Sequence, residues 1–317
     1  MEETLTNRYR PTSIEDFYLP EDVREVLRIL GMLASMNVLI VGDIGSGKTS
    51  LVEAIIASSY GTKPTQDNLM YITTLQDQGI SFYRHDVRTF CQTPGAVPGV
   101  KKMLVIDNLD TVNEQSQQVF RNCMDKFSHN VQFVATCANM QKIIESLQSR
   151  TTIVRIPKVS VLQLRHLCDN ICSKEKLKVT DAAKTFIVKI SNHSIRTMMN
   201  YLEKFRLMGG RINIGDAQEA CTNISFDDLR SYTDACRRGD VQSALTLIHR
   251  SVAKGFSVMD ILDSYFVYIK SDEELDEMQR LSLVPVLCKY MTIFHNLHED
   301  EVELSFFTAE VIMTLKT

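Results

Sequence analysis

The sequence lacks any apolar run approaching the ~18 residues of a membrane-crossing helix. Arg28 and Asn37 interrupt the longest candidate, so no membrane span is expected. The first residues, MEETLTNRYRP, are polar and partly acidic and do not read as a secretory signal. No C-x-x-C pair occurs among the eight cysteines. Cys168 and Cys172, four apart with His166 nearby, come nearest to a metal-ligand cluster, but the scattered cysteines read as small buried apolar residues in a reducing compartment. No internal repeat or low-complexity tract is visible. Nor is the chain basic overall, its formal net charge being −4. That figure conceals an asymmetry. Residues 225–317 carry nine Lys and Arg against sixteen Asp and Glu, a net of −7, which leaves +3 for residues 1–224. Any nucleic-acid contact is therefore expected as a local basic patch in the first part.

What is present is organised around VLIVGDIGSGKTS, residues 38–50. An apolar run leads into Gly42-Asp43-Ile44-Gly45-Ser46-Gly47-Lys48-Thr49, which has the G-x-x-x-x-G-K-T spacing of a phosphate-binding loop. The run reads as a buried strand, and LVEAIIASS after it as a helix with Leu51, Val52, Ile55 and Ile56 clustered on one side. Glycine allows the sharp turn that aims backbone N–H groups inward. The helix start adds about half a positive charge where phosphates would lie. In this pattern Lys48 neutralises the β and γ phosphates of a nucleotide and the Thr49 hydroxyl ligates Mg²⁺.

Around this loop the 317 residues have room for two or three domains. Residues 7–23 read as an extended lead-in, because Pro11 and Pro20 prevent one continuous helix. A helix is expected from about Pro20 to Ser35 with Val23, Val26, Leu27, Leu30 and Leu33 inward. LMYIT, 69–73, reads as a short strand, and GISFYRHDVRTF, 79–90, as a helix with Arg84 and Arg88 on one face. TPGAVPGV, 93–100, is a loop. KKMLVIDNLD, 101–110, is a second nucleotide signal: an apolar strand ending at Asp107, an acid placed to hold Mg²⁺ directly or through water. A helix over 113–128, a strand over 131–139, a helix KIIESLQ and a last strand TIVRI follow. Strands alternating with helices predict a parallel sheet covered on both faces, with ligands at the strand C-terminal ends near Gly42, Asp107 and Asn139. After Pro157 the strand pattern stops. Residues 160–221 read as four helices and 226–315 as about five more, with Thr222 to Ser225 as a connector.

The chain resembles the AAA+ family, and within it the small subunits of sliding-clamp loaders, nearly end to end. Arg8-Tyr9-Arg10-Pro11 is similar to the K-Y-R-P lead-in of that family, and GISFYRHDVRTF to its G-I-D-V-V-R helix. SQQVFRNCMDKFS resembles the central helix Q-x-A-L-R-R-x-M-E, and KIIESLQSRT resembles K-I-I-E-P-I-Q-S-R-C. SIRTMMNYL resembles the G-D-M-R-R-A-L-N helix of the lid, and GDVQSALTLIHRSVAKGFSVMDIL the collar of replication factor C small subunits. The resemblance implies an α/β AAA+ P-loop core with a parallel sheet over residues 1–157, a helical lid over 158–224 and a helical collar for oligomerisation over 225–317.

It also implies a division of labour with ATP and Mg²⁺ as cofactors. Tyr9, Arg10 and Pro11 border the adenine, and Gly42, Asp43, Ile44, Gly45, Ser46, Gly47, Lys48, Thr49 and Ser50 cradle the phosphates. Thr49 and Asp107 serve the metal. Arg196 is the lid sensor of the γ-phosphate, and Arg150 is an arginine finger acting in trans on a neighbour's ATP, worth roughly 10³ to 10⁵ in rate in related reactions. Arg84, Arg88 and Arg121 face DNA phosphates. Without the Ser149-Arg150 context, Arg150 reads as a surface arginine capping a strand; Arg196 has an alternative as an ion-pair partner within the lid, and Arg84 with Arg88 reads equally as a solvated helix face. The implied partners are other loader subunits, a sliding clamp and primer–template DNA, at the nucleus or another site of DNA replication.

Four positions depart from the family pattern. Asn108 stands where the family has the Glu that polarises the attacking water; losing a general base typically costs roughly 10² to 10⁴ in rate. At the next strand, strict register puts Ala138 where an Asn is expected, and a one-residue shift assigns that role to Asn139. Thr151 replaces a Cys after Ser149-Arg150, and Asn122 replaces the second arginine of the central helix. The expectation is a slow ATPase subunit of a clamp loader. A non-hydrolysing scaffold subunit, or another AAA+ initiator or helicase loader, remains as an alternative.

Overall fold

The computed structural model describes residues 3–32, 36–61, 67–73, 80–95, 100–221, 224, 226–271, 275–296 and 300–316. Five strands form one parallel sheet: β1 (Val38–Val41), β2 (Leu69–Thr73), β3 (Lys102–Asp107), β4 (Val131–Cys137) and β5 (Thr152–Arg155), in the order β2-β3-β4-β1-β5. Val38 of β1 stands beside Val134 on one side and Thr152 on the other, and Thr73 stands beside Asp107. Every residue of β1, β3 and β4 is buried, whereas β2 and β5 at the edges are only partly so. This is why the central strands are written as continuous apolar runs rather than in alternation: both faces are covered.

Strand pleating divides the apolar residues between two cores. Leu39, Val41, Leu104, Ile106, Phe133 and Ala135 pack with Tyr83, Val87 and Phe90 of the helix Ile80–Gln92 and Phe120 and Met124 of the helix Glu114–Phe127. Val38, Ile40, Met103, Val105 and Val134 pack with Leu51, Val52 and Ile55 of the helix Lys48–Tyr60, and with Ile14, Phe17 and Leu19 of the lead-in. The side chains of one strand thus serve alternate faces at period two.

Several elements differ from the sequence reading. The first long helix runs Glu21–Met32; Leu27 is its buried residue and Val26 is 38% exposed, outside the inner face expected for it. Leu33 and Ser35, Gly79, half of the loop 93–100 and most of the connector 222–225 lie outside the described residues. KIIESLQ forms a 3-10 turn, Met140–Lys142, and one helical turn, Glu145–Gln148, rather than a single helix. Beyond Pro157 a two-residue parallel pair, Lys178–Val179 with Arg211–Ile212, interrupts the helices, which the sequence did not announce because so short a bridge has no periodicity.

The chain divides into two compact units. The first comprises residues 1–166 with 193–200, and the second 167–192 with 201–317. This partition differs from the three segments 1–157, 158–224 and 225–317, since the helical segment after 157 contributes to both units. In the second unit, the four helices over 161–221 are Val161–Lys174, Asp181–Ile190, Ile195–Met208 and Ile214–Cys221, the first and third begun in the first unit. Five more follow: Phe226–Arg238, Val241–Ala253, Val258–Ser271, Glu277–Asn296 and Glu301–Lys316. Its core is aromatic. Phe226 meets Phe186 and Tyr268 edge-on at 5.5 and 5.6 Å, Tyr265 stacks on Tyr268, and the Tyr232 hydroxyl donates to Thr308 Oγ1 at 3.1 Å.

Candidate nucleotide site

The glycine loop leaves the sheet between β4 and β5. Gly45 and Gly47 have φ of +78° and +94°, the left-handed region that a side chain disfavours. A Cβ on Gly42 would lie 2.8 Å from Ser46 Oγ and 3.2 Å from Ile156 Cβ, so the loop closes on itself only with glycine there. The helix Lys48–Tyr60 begins with Gly47 as an N-cap that offers no side-chain acceptor. Its first N–H groups are left for an anion, with the positive end of the helix dipole behind them.

Lys48 is 8% exposed, and its Nζ donates to the carbonyls of Gly42 and Asp43 at 2.8 and 2.9 Å. Burial lowers its pKa, opposed first by the negative charge of Asp110 and then by that of Asp107, and aided by the positive charge of Arg196. Asp43, at the rim of the loop, pairs with Lys158 at 3.0 Å, and Ile44 is exposed at its tip.

Asp107 is buried at the end of β3. Thr136 on β4 donates to its Oδ1 at 2.6 Å and Thr49 to its Oδ2 at 3.2 Å. The Tyr71 hydroxyl reaches Oδ2 at 3.5 Å, and burial together with the Asp107 charge pushes its pKa up. A hydroxyl and a carboxylate side by side at the mouth of a phosphate-binding loop are hard oxygen donors, and the Ser46 Oγ is buried in the same loop without a hydrogen-bond partner. This donor set fits Mg²⁺ carried by a nucleotide. Thr49 and Asp107 would hold the ion, which when bound neutralises phosphate charge.

Asn108 adopts a left-handed conformation, φ 58° and ψ 53°, which asparagine tolerates better than most residues. Its N–H donates to Thr136 Oγ1 at 2.9 Å and its carbonyl accepts from the Thr111 N–H and hydroxyl. The turn brings Asp110 back to β4, where its Oδ2 accepts from the N–H groups of Ala138 and Asn139 at 3.2 and 3.0 Å. Both candidate sensor positions are thus held by one carboxylate. The Asn139 carboxamide oxygen accepts from the Gln141 N–H at 2.9 Å, capping the 3-10 turn.

The remaining expected residues are distributed as follows. Arg10 donates through Nε to Ser50 Oγ at 3.1 Å and pairs with Glu53 at 2.7 Å, tying the lead-in with Tyr9 and Pro11 to the first turns of the loop's helix. Arg196 stands beside the loop: a Cβ on Gly45 would meet Ser194 Oγ at 2.6 Å and Arg196 Cβ at 3.4 Å. Arg84 and Arg88 are exposed on the helix Ile80–Gln92. Arg150 and Arg121 converge on Asp125, and the structure places neither beside Lys48 of its own chain; Arg150 Nε donates to Asp125 Oδ1 at 2.6 Å and Arg121 Nε lies 3.7 Å from Asp125 Oδ2.

Sequence reasoning did not single out Thr136, Asp110, Tyr71 or Asp125. Only Asp110 had a local signal, as the second acid of the stretch Asp107-Asn108-Leu109-Asp110. Thr136 and Tyr71 come to Asp107 through strand register, and Asp125 meets Arg150 through helix packing.

Residues 38–158 match the ATPase family associated with various cellular activities (AAA), and residues 224–290 match the replication factor C C-terminal domain. Replication factor C subunit 4 of Schizosaccharomyces pombe is 25% identical over 283 residues, covering 87% of this chain and 81% of that protein. The replication factor C small subunit of Archaeoglobus fulgidus is 23% identical over 268 residues, covering 83% of each. Among solved structures, the Thermotoga maritima RuvB Holliday junction branch migration motor superimposes with a TM-score of 0.52 at 18% identity, covering 71% of this chain and 78% of that one, which is a likeness of fold.

Proposed function

We propose that this chain, which matches the AAA family over residues 38–158 and the replication factor C C-terminal domain over 224–290, is an ATP-binding subunit of a sliding-clamp loader of the replication factor C small-subunit type. In this reading ATP binding closes a hetero-oligomeric assembly that opens a ring-shaped clamp and grips primer–template DNA. Hydrolysis then releases the clamp. Residues 158–224 act as the lid and 225–317 as the collar, and the site of action is the nucleus or another site of DNA replication.

One observation carries the nucleotide part: Lys48 is buried in the glycine loop, and Thr49 lies 3.2 Å from Asp107 across it. The loop N–H groups and Lys48 bind phosphate charge, Thr49 and Asp107 take the Mg²⁺, and Arg196 beside Gly45 reads the γ-phosphate. Arg10, Tyr9 and Pro11 border the base. Arg150 serves the neighbouring subunit's ATP, and Arg84, Arg88 and Arg121 take DNA phosphates, which position without conferring sequence specificity.

A second reading, an ATP-binding scaffold that hydrolyses almost nothing, is favoured by Asn108. A carboxamide there can orient water but cannot accept its proton. Asn139 completes the polar end of the site, one residue beyond the Ala138 that strict register would put there.

Steady-state ATP hydrolysis by the assembled complex with primed DNA, comparing wild type with Lys48→Ala and Asn108→Glu, tests both. Lys48→Ala is expected to abolish nucleotide binding by this chain. Asn108→Glu is expected to raise its turnover by up to ~10² to 10⁴-fold. Brisk wild-type turnover unchanged by Asn108→Glu would remove the slow-site and scaffold readings. Rates indifferent to DNA and partners would remove the loader assignment.

A further inference from the structure

Arg150 is anchored on two sides within its own chain. Its Nε donates to Asp125 Oδ1 at 2.6 Å and its Nη1 to the Ser146 carbonyl at 2.7 Å. Among the described residues Nη2 makes no hydrogen bond, so two of the three guanidinium nitrogens are held and the third is presented. Asp125 lies on the helix Glu114–Phe127 one turn after Arg121. Its second oxygen, Oδ2, is 3.7 Å from Arg121 Nε, a buried nitrogen with no hydrogen-bond partner among the described residues. One carboxylate thus stands between two arginines, close to one and loosely held by the other. The hydrogen bond from Arg150 and its charge hold the Asp125 pKa below the usual carboxylate range.

We infer that Asp125 is a positioning residue for Arg150, and that it relays the occupancy of Arg121 to it. The inference rests on the reading of Arg150 as a group acting on a neighbour's ATP and of Arg121 as a DNA contact. A guanidinium must present its N–H groups within a narrow geometry to stabilise charge in a phosphoryl transfer. Lengthy arginine side chains lose that geometry unless their neighbours fix the rotamer. Asp125 does this at Nε and the Ser146 carbonyl at Nη1, leaving Nη2 for the phosphate.

The relay follows from charge. With Arg121 unengaged, its charge competes with Arg150 for the Asp125 carboxylate. A nucleic-acid phosphate that pairs with Arg121 removes this competitor, and Asp125 is left to Arg150. Nucleic-acid binding therefore sharpens the finger. Both pairs are half exposed, with side-chain exposures of 32–41%, and exposed pairs are individually weak. Exchange between them is accordingly easy, as a relay requires.

Two measurements test this. In the isolated chain without nucleotide, the Arg150 Nε–H proton is expected to be protected from exchange with water by NMR, to stay protected in Asp125→Glu and to lose protection in Asp125→Asn. In the assembled complex, ATP turnover is measured against ATP concentration with and without a short primer–template duplex. Asp125→Asn is expected to lower kcat with DNA by about 10- to 100-fold, since a misplacement of about 1 Å can cost ~10²-fold, with KM for ATP unchanged. The loss without DNA should be smaller, and Asp125→Glu should recover part of the rate. Wild-type kcat in Asp125→Asn, or an unprotected Nε–H in wild type, overturns the positioning role. Equal losses with and without DNA overturn the relay. Arg150→Ala separates this inference from the reading beneath it: if that change leaves the neighbour's hydrolysis intact, the finger assignment fails; if it removes hydrolysis while Asp125→Asn does not, only the present inference fails.

Discussion

At the scale of single residues, the site turns on side chains whose partners come from other strands. Thr136 is fully buried and serves two masters: its hydroxyl donates to Asp107 Oδ1 and accepts from the Asn108 N–H. Thr136→Val keeps the shape and removes both bonds. It should cost about 1–3 kcal/mol in the first unit by leaving polar groups unpaired. The apparent Mg²⁺ affinity of the nucleotide complex should weaken by ~10- to 100-fold, as for other residues that orient a metal ligand. Denaturant unfolding and Mg²⁺-dependent binding of a fluorescent ATP analogue measure the two effects.

Lys48 carries a pH prediction. Burial places its folded-state pKa below the ordinary 10.5. In the folded chain the charged form is therefore disfavoured, and this unfavourable contribution disappears as pH rises past the unfolded value. Bound phosphate favours the charged form and raises the pKa again. Nucleotide binding should consequently take up protons at alkaline pH, and ATP affinity should fall as pH rises through the lowered pKa of Lys48. Calorimetry in buffers of different ionisation enthalpy detects that uptake as a dependence of the observed enthalpy on the buffer that grows as pH rises.

At the scale of elements, the loop and the helix ends show what backbone geometry demands. Gly45 combines a φ of +78° with an approach that would put a Cβ 2.6 Å from Ser194 Oγ. Gly45→Ala should therefore destabilise the loop by about 1–2 kcal/mol from the left-handed conformation alone. It should also displace the segment bearing Ser194 and Arg196, seen as weakened nucleotide binding and altered amide shifts at 194–197. A second case lies at the start of β3. Lys102 is 2% exposed, yet its Nζ donates to the carbonyls of Phe90 and Thr93 and to the Thr93 hydroxyl, and lies 4.0 Å from the Phe90 ring centre. A cation there satisfies carbonyls at the end of the helix Ile80–Gln92 and meets the negative end of its dipole. Lys102→Met keeps the bulk and removes the donors. About 1–3 kcal/mol of stability should be lost, with faster hydrogen exchange in the last turn of the helix that carries Arg84 and Arg88.

At the scale of the whole molecule, the partition into two compact units decides which fragments can stand alone. Residues 181–190 lie in the second unit, where Phe186 packs edge-on against Phe226 at 5.5 Å and Lys270 donates to Asn192 at 3.1 Å. A fragment ending at residue 224 removes both partners. Its amides at 181–190 should lose hydrogen-exchange protection relative to the full chain, while those of β1, β3 and β4 keep theirs. Unchanged protection at 181–190 would show that these helices fold without the last five. Among the described residues the eight cysteines form no disulfide; seven are buried, and Cys288 is exposed, so it alone departs from the apolar role expected of them. No helix among the described residues is long and apolar enough to cross a membrane.

The sequence by itself determined the elements with strong local physics. A run such as VLIV or LVID, buried on both faces, has no polar alternation to confuse it, and the spacing of Gly42, Gly45, Gly47, Lys48 and Thr49 needs only backbone geometry and charge to be read. Asp107 was legible as the acid ending the second apolar strand. What tertiary structure alone decided are the pairings across strands and helices. Thr136 meets Asp107 because β3 and β4 are neighbours in parallel register, and Asp110 returns to Ala138 and Asn139 because Asn108 turns through the left-handed region. Asp125 stands between Arg121 and Arg150 because the turn after Ser146 packs against the central helix. Lys102, which nothing in the sequence singles out, is buried because carbonyls 9 and 12 residues away in sequence converge on it. The period of an apolar pattern fixes which residues face inward. It carries no information on which polar groups from distant segments will meet, since those contacts depend on strand order and register.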